Sequence, residues 1–297
     1  MAEVATFAMS DQLLVVIDPI ARRTDGESVR IAKDVLSAGA ATKVCLPEGP
    51  DEFARALARR GARRPVVIGD DGALTRAVAL LHRQRQLAEC VLSVVPVGGA
   101  LSLAGSLGVP TGAVAAARAV LDGVERRLDL LVDDSDGVVL GALRIPPIRD
   151  PAAPAGASSV GPGAGRPWLR TCQSLVRTLV PARSTPVAAA PGPSRLRVEV
   201  DGATLVDLGH PVETVSVTPG SSGVAAVEVR PASVGAEASP LRAEGRTVTV
   251  SGAHFRYRAD TAVSGPVRRR TWTVGEGALR LVVPGRGGAA GGGAGVG

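Results

Sequence analysis

The stretch "VVIGDDGALTRAV", residues 66–78, decides how the chain folds. Val66, Val67 and Ile68 are apolar at every position, as in a strand covered on both faces. The run stops at Gly69, the carboxylates Asp70 and Asp71 follow, and Gly72 and Ala73 open a stretch with helical spacing. Strand, tight corner and helix make one βα unit. A glycine at such a corner lets the backbone approach a ligand, and the following helix start offers free N–H groups to an anion. The question is whether this corner grips phosphate.

The same unit repeats on either side. "LLVVID" (13–18) precedes the helical "GESVRIAKDVLSAG" (26–39), and "TKVCL" (42–46) precedes "DEFARALARRG" (51–61). Downstream, "CVLSVVPV" (90–97) leads to "ALSLAGSLG" (100–108) and "TGAVAAARAVLDG" (111–123). Strands alternating with helices of this length predict right-handed βαβ crossovers and a parallel sheet over residues 1–128.

The pattern changes after "RRLDLLVDD" (126–134). "RLRVEVDG", "ETVSVTP", "VAAVEVRP", "RTVTVSG", "HFRYRAD", "RRRTWTV" and "ALRLVVPG" alternate with period two between Gly, Pro and Asp. That predicts an antiparallel, β-sandwich-like second domain over 129–285. A Pro, Ala and Gly stretch at 146–167 reads as a flexible insert, "WLRTCQSLVRTLV" (168–180) as a short amphipathic helix, and the Gly-rich 286–297 as a disordered tail.

The charge is uneven. Residues 1–145 hold 17 basic and 18 acidic side chains, whereas 146–297 hold 17 and 10. A basic C-terminal half suits an anionic membrane surface or lipid. Nucleic acid is disfavoured, because the chain offers no aromatic stacking platform. "VRRR" (267–270) reads as solvent-facing Arg beside buried Val267 and Trp272. Cys45, Cys90 and Cys172 show no CxxC spacing, so they predict reduced thiols rather than a zinc site. His82, His210 and His254 stand too far apart to suggest a ligand set. The start "MAEVATFAMSDQ" has no basic segment of a secretory leader, and no apolar run reaches about 20 residues. The expectation is a cytoplasmic chain, at most peripheral to the inner face of a membrane, with a homodimer left open.

Ligands of open α/β sheets sit at the carboxyl ends of the strands. Here those ends carry Asp18-Pro19, Gly69-Asp70-Asp71-Gly72-Ala73 and Pro96-Val97-Gly98-Gly99. Their order and flanks, "VVIDPIARR", "VIGDDGALTRAV" and "VVPVGGALSLAGSLGVP", resemble the catalytic region of diacylglycerol kinases and their sphingosine kinase relatives, a fold similar to that of NAD kinases. "VEVDGATL" and "YRADTAVSGPVRRRTWTVGEGALRLVVP" resemble that family's β-rich second domain. The resemblance implies ATP and Mg²⁺ as cofactors, a nucleotide site at Asp18, Gly69 to Ala73, Pro96, Gly98 and Gly99, metal organisation by Asp71, and Asp260 as general base on a lipid hydroxyl.

The departures fall on the chemistry. Asp70 stands where the family has Gly, Ala73 replaces a phosphate-bonding Thr, and Asp18 replaces Asn. Gly99, Leu101 and Ser102 take the places of Thr, Asn and Asp, and Ala262 that of a Glu. A carboxylate about 4 Å from a phosphate charge costs roughly 4 kcal/mol at an effective dielectric of 20, unless it turns outward or a cation lies between. Two readings stay open: a catalytically impaired member acting as a lipid- or ligand-binding module, and an active ATP-dependent lipid kinase.

Overall fold

The computed structural model describes residues 12–146, 193–232 and 239–285, which belong to one packed unit. Residues 1–11, the predicted insert beyond Pro146, the helix expected at 168–180 and the tail at 286–297 lie outside the described residues.

The N-terminal half begins with β1 (Gln12–Ile17), followed by α1 (Pro19–Thr24), α2 (Gly26–Gly39), β2 (Ala41–Cys45), α3 (Pro50–Ala58) and β3 (Arg64–Gly69). Then come α4 (Asp71–Arg83), β4 (Val91–Pro96), α5 (Ser102–Ser106) and α6 (Ala113–Asp122). β1 pairs in parallel with β2 and β3, and β3 pairs in parallel with β4, giving the spatial order β4-β3-β1-β2. Side chains of β1 and β3 are buried on both faces: Leu14, Val16 and Val67 pack under α3 and α4, and Leu13, Val15 and Ile68 under α2 and α6. α1 has no counterpart among the helices read from the sequence. Pro19 opens it at a position where the missing N–H is not needed.

The strand-rich half holds β5 (Val124–Asp133), β6 (Val138–Val139), β7 (Leu143–Ile145), β8 (Ser194–Val200), β9 (Ala203–Val206), β10 (Pro211–Pro219) and β11 (Ala225–Pro231). It closes with β12 (Leu241–Gly245), β13 (Thr247–Ala259) and β14 (Ala262–Val283). "RTVTVSG" and "HFRYRAD" are one strand, β13, whose register slips between Ser251 and Phe255. "RRRTWTV" and "ALRLVVP" are likewise one strand, β14, which departs from regular register between Gly275 and Leu279. Bulges of this kind bend a strand without ending it. Through its last residues β14 pairs antiparallel with β5 and parallel with β4, so the sheet runs unbroken from β12 to β2.

The core of this half is built around Trp272, fully buried, with Tyr257 set edge-on at 5.2 Å and flanked by Val198, Val248 and Val250. The Tyr257 hydroxyl donates to Asp133 at 3.2 Å. Burial pushes the Asp133 carboxyl up, but the Ser135 hydroxyl and the Gly137 and Ser135 amides outweigh it, so its pKa ends below the usual value. Val267 packs on the same core, Arg268 and Arg269 face solvent, and Arg270 pairs with Asp134. At Asp201-Gly202 the chain turns between β8 and β9, and the Asp201 carboxylate accepts the Arg246 and Thr247 amides. Cys45 and Cys90 are free thiols.

Trp272→Ala should remove about 3–5 kcal/mol of folding free energy, the range for truncating a buried aromatic. Urea unfolding of this variant checks it, and a loss under about 1 kcal/mol would mean that this ring is not the keystone of its core.

Candidate active site

The carboxyl ends of β1, β3 and β4 lie side by side, and the chain leaves each through a tight corner. Gly69 is forced there by close approach. A Cβ at this position would sit 2.6 Å from the Ala73 Cβ and 2.9 Å from the Asp18 Cβ. Gly98 has φ +125°, a conformation that side chains disfavour, and a Cβ there would come within 3.3 Å of the Asp70 Cβ. Gly69 and Pro96 are partners in the β3–β4 register, and the Val97 amide donates to the Gly69 carbonyl. The sequence-predicted residues Asp18, Gly69, Asp70, Asp71, Gly72, Ala73, Pro96 and Gly98 are therefore gathered at one mouth. Gly99 lies on its exposed rim, with open space around its Cα.

Each aspartate of this mouth is tied to a helix start. Asp18 is the N-cap of α1 and accepts the Ile20 amide at 2.9 Å. Asp70 is the N-cap of α4 and accepts the Ala73 amide at 3.0 Å, so its carboxylate turns inward over the helix end. A Cβ on Gly72 would stand 3.2 Å from that carboxylate. Asp71 is buried and reaches across to α5, accepting the Leu103 amide at 2.9 Å, the Ala104 amide at 3.0 Å and the Ser102 hydroxyl at 3.3 Å. Aspartate is a preferred N-cap because its oxygen satisfies amides that the helix leaves unpaired, and its charge suits the positive end of the dipole.

The second oxygen of Asp18 holds Arg76, whose guanidinium donates at 2.7 Å from the second turn of α4. Arg76 also lies over the Phe53 ring, 5.6 Å from its centroid. Asp18 is fully buried, so this arginine supplies the charge compensation that burial demands. Arg76 was not among the sequence candidates. The contact spans 58 residues, and only the parallel order of β1 and β3 brings the two together.

Asp260 sits in the turn between β13 and β14 with φ +49°. Its carboxylate accepts the amides of Leu140, Gly141 and Ala142 at 2.7, 2.8 and 3.0 Å. Burial pushes its pKa up, the three amides pull it down, and the Asp71 charge pushes it up again, with a net rise above the ordinary aspartate value. Asp260 and Asp71 thus feel each other across α5. A Cβ on Gly141 would meet the end of the Leu103 side chain at 2.7 Å and the Asp260 carboxylate at 3.2 Å, so a larger residue there would have to displace both side chains. Ala262, in the place of the family's Glu, pairs with Ala259 and adds no carboxylate. Among the described residues no group of three His, Cys, Asp or Glu side chains is placed to hold a metal ion. No described helix is long and apolar enough to cross a membrane.

Residues 12–132 match the model of the diacylglycerol kinase catalytic domain. A search of curated proteins finds no match. Among solved structures, a protein from Bacillus anthracis str. Sterne assigned as a diacylglycerol kinase is similar in fold, with TM-score 0.65 and 11% identity over 94% of this chain and 98% of that one. A second such structure gives TM-score 0.66 at 11% identity, covering 92% and 97%. A third, of a diacylglycerol kinase from the same strain, gives 0.63 at 11% identity, again covering 92% and 97%. At this identity the likeness concerns the fold.

Arg76→Ala should leave Asp18 buried without its counter-charge and lower stability by about 3 kcal/mol, the low end for a broken buried pair because the arginine is one-third exposed. Adding Asp18→Asn should recover most of that loss in urea unfolding. A single variant as stable as the parent would show that the pair does not compensate. The Asp260 carboxyl should titrate above the ordinary aspartate range in a ¹³C NMR series. A carboxyl raised on folding stabilises fully below its unfolded pKa and loses that contribution as pH rises through the folded value. A midpoint at or below about 3.9 would contradict the burial argument.

Proposed function

From the match of residues 12–132 to the diacylglycerol kinase catalytic domain, we propose that the chain is a lipid-binding or regulatory member of that family with an impaired nucleotide corner. The observation that carries this reading is the self-capping of the mouth: the amides at the starts of α1, α4 and α5 donate to the carboxylates of Asp18, Asp70 and Asp71. A phosphate needs those same N–H groups and the same positive helix ends. It would have to displace a tethered carboxylate and then stand beside its charge. At about 4 Å and an effective dielectric of 20 that repulsion is roughly 4 kcal/mol.

The residues present do not fit a Mg–triphosphate. Both oxygens of Asp71 are engaged on α5, Ala73 lacks a hydroxyl, and Gly99 and Leu101 bring no side-chain donor. Phosphoryl transfer rests on positioning and charge compensation, and both are weakened here. What remains is the cradle around Asp260 and the strand-rich half, the lipid-facing part in the family that the sequence resembles.

One observation favours an active kinase. Asp260 is raised toward the pH at which a carboxylate works as a base, and it lies within the electrostatic reach of the mouth. Calorimetric titration with MgATP separates the two readings. The parent chain should bind more weakly than about 1 mM, and Asp70→Gly, which removes the inward carboxylate and frees the Ala73 amide, should tighten binding at least about tenfold. Micromolar binding by the parent would overturn the impaired corner and leave the active kinase standing.

A further inference from the structure

A cavity of about 450 Å³ lies along the open edge of the parallel sheet, between β2 and α3. β2 is the last strand on this side and pairs with β1, setting Lys43 opposite Leu14 and Cys45 opposite Val16. Paired residues of neighbouring strands share a face, so Lys43 and Cys45 stand on the side of Leu14 and Val16, the side that α3 covers. α3 turns Phe53 and Leu57 into the core. The stripe beside them, Glu52, Arg55, Ala56 and Arg59, recurs at helical spacing and faces the strand edge. Ala56 is the small member of that stripe, and its methyl group leaves room that a leucine would fill.

The cavity has an apolar floor and a cationic rim. Leu14, Cys45 and Ala56 form the floor, with exposed Leu46 beside them. Lys43, Arg55 and Arg59 form the rim, all three exposed. Glu52 is the single carboxylate of the lining, and it is held at one end. It accepts the Glu48 amide at 2.9 Å at the start of α3, roughly 10 Å along the helix axis from Arg59. Arg55 approaches Glu52 at 3.7 Å with both side chains exposed, a contact of little strength. Neither Lys43 nor Arg59 is in an ion pair among the described residues. Three cations against one carboxylate leave two positive charges unmatched above an apolar floor. A lysine on an edge strand also discourages strand pairing, but that role does not call for two arginines on the helix opposite.

A dianion with a compact apolar body matches both parts. Lysine meets a phosphate as a point charge and arginine as a planar fork, while the body covers the floor. We propose that the cavity between β2 and α3 binds a small phosphate monoester carrying a short apolar or aromatic group. None of the residues gathered at the mouth lines this cavity, so a failure of this inference leaves the reading of the mouth untouched, and the reverse holds too.

Calorimetric titration of the full chain with phenyl phosphate tests the assignment at about pH 8, where a monoester with a second pKa of about 6 is a dianion. Phenyl phosphate should bind with Kd below about 1 mM, and inorganic phosphate, phenol and benzoate at least about tenfold more weakly, because each lacks one part of the match. Lys43→Gln with Arg59→Gln should weaken phenyl phosphate at least about tenfold. Arg83→Gln with Arg118→Gln, the same charge change on exposed helix positions outside the cavity, should stay within about twofold. Ala56→Leu keeps every charge and fills the space, so it should abolish binding, and thermal melting should show each variant folded. Protection of Cys45 tests the site on the parent chain without any substitution. Saturating phenyl phosphate should slow alkylation of this half-buried thiol by iodoacetamide at least about threefold, read at its own peptide by mass spectrometry. Equal weakening by both double variants would reduce the effect to net charge and overturn the site. Absence of binding, equal binding of inorganic phosphate or benzoate, binding that survives Ala56→Leu, or an unprotected Cys45 would each overturn it as well.

Discussion

Three aspartates at the carboxyl ends of neighbouring strands satisfy the N–H groups of the helices around them, and the N-terminal half is arranged about that fact. A βα corner must turn the chain within a few residues and leave the first amides of the next helix without partners. Asp18 and Asp70 close those amides from the corner itself, and Asp71 does so for α5 across the mouth. Each cap contributes on the order of 1 kcal/mol to its helix. Gly69 makes the geometry possible, because a side chain there would collide with Asp18 and Ala73. The interaction that secures the corner is also the one that competes with any incoming anion.

Asp18 illustrates the electrostatic consequence. Three carboxylates gathered at one mouth repel each other, and a buried one needs a counter-charge. Arg76 provides it from α4, and the Phe53 ring below supports the guanidinium. The arginine is thus committed to the protein's own carboxylate. From Asp71 the connection continues through α5 to Gly141 and the Asp260 turn, where the strand-rich half meets the helical half. β14 carries the same junction in the backbone, pairing with β5 and β4 at its far end.

How far the sequence foretold this depends on the range of the interaction. The strands at 65–69 and 90–97 and the helix at 26–39 follow from local apolar runs and caps, which a reader of "PVVIG" and "GESVRIAKDVLSAG" sees directly. The gathering of Asp18, Asp70 and Asp71 follows from strand ends, another local signal. Where each carboxylate points does not. Asp70, three residues before Ala73, stands as a legible N-cap signal, while the same residues occupy the place of a phosphate-binding turn in the family that the sequence resembles. Arg76 on Asp18 and the amides of 140–142 on Asp260 depend on contacts spanning 58 and about 120 residues, set only by sheet order. The bulges that fuse two sequence runs into β13 and two into β14 escape period-two patterning for the same reason. Gly and Ser at 251–252 read as a turn, but the partner strand carries the chain through them.

The two ends of α5 differ in their chemistry. At the mouth, Ala73, Gly99 and Leu101 offer no side-chain donor, and Asp18 and Asp70 bring carboxylates. At the other end of α5 the Asp260 cradle is intact, with every carboxylate oxygen matched to an amide. Gly141 packs closely between the Leu103 side chain and the Asp260 carboxylate. The physical balance at the mouth therefore runs one way: its helix amides are satisfied by carboxylates of the chain itself, and any anion competing for them meets charge of its own sign.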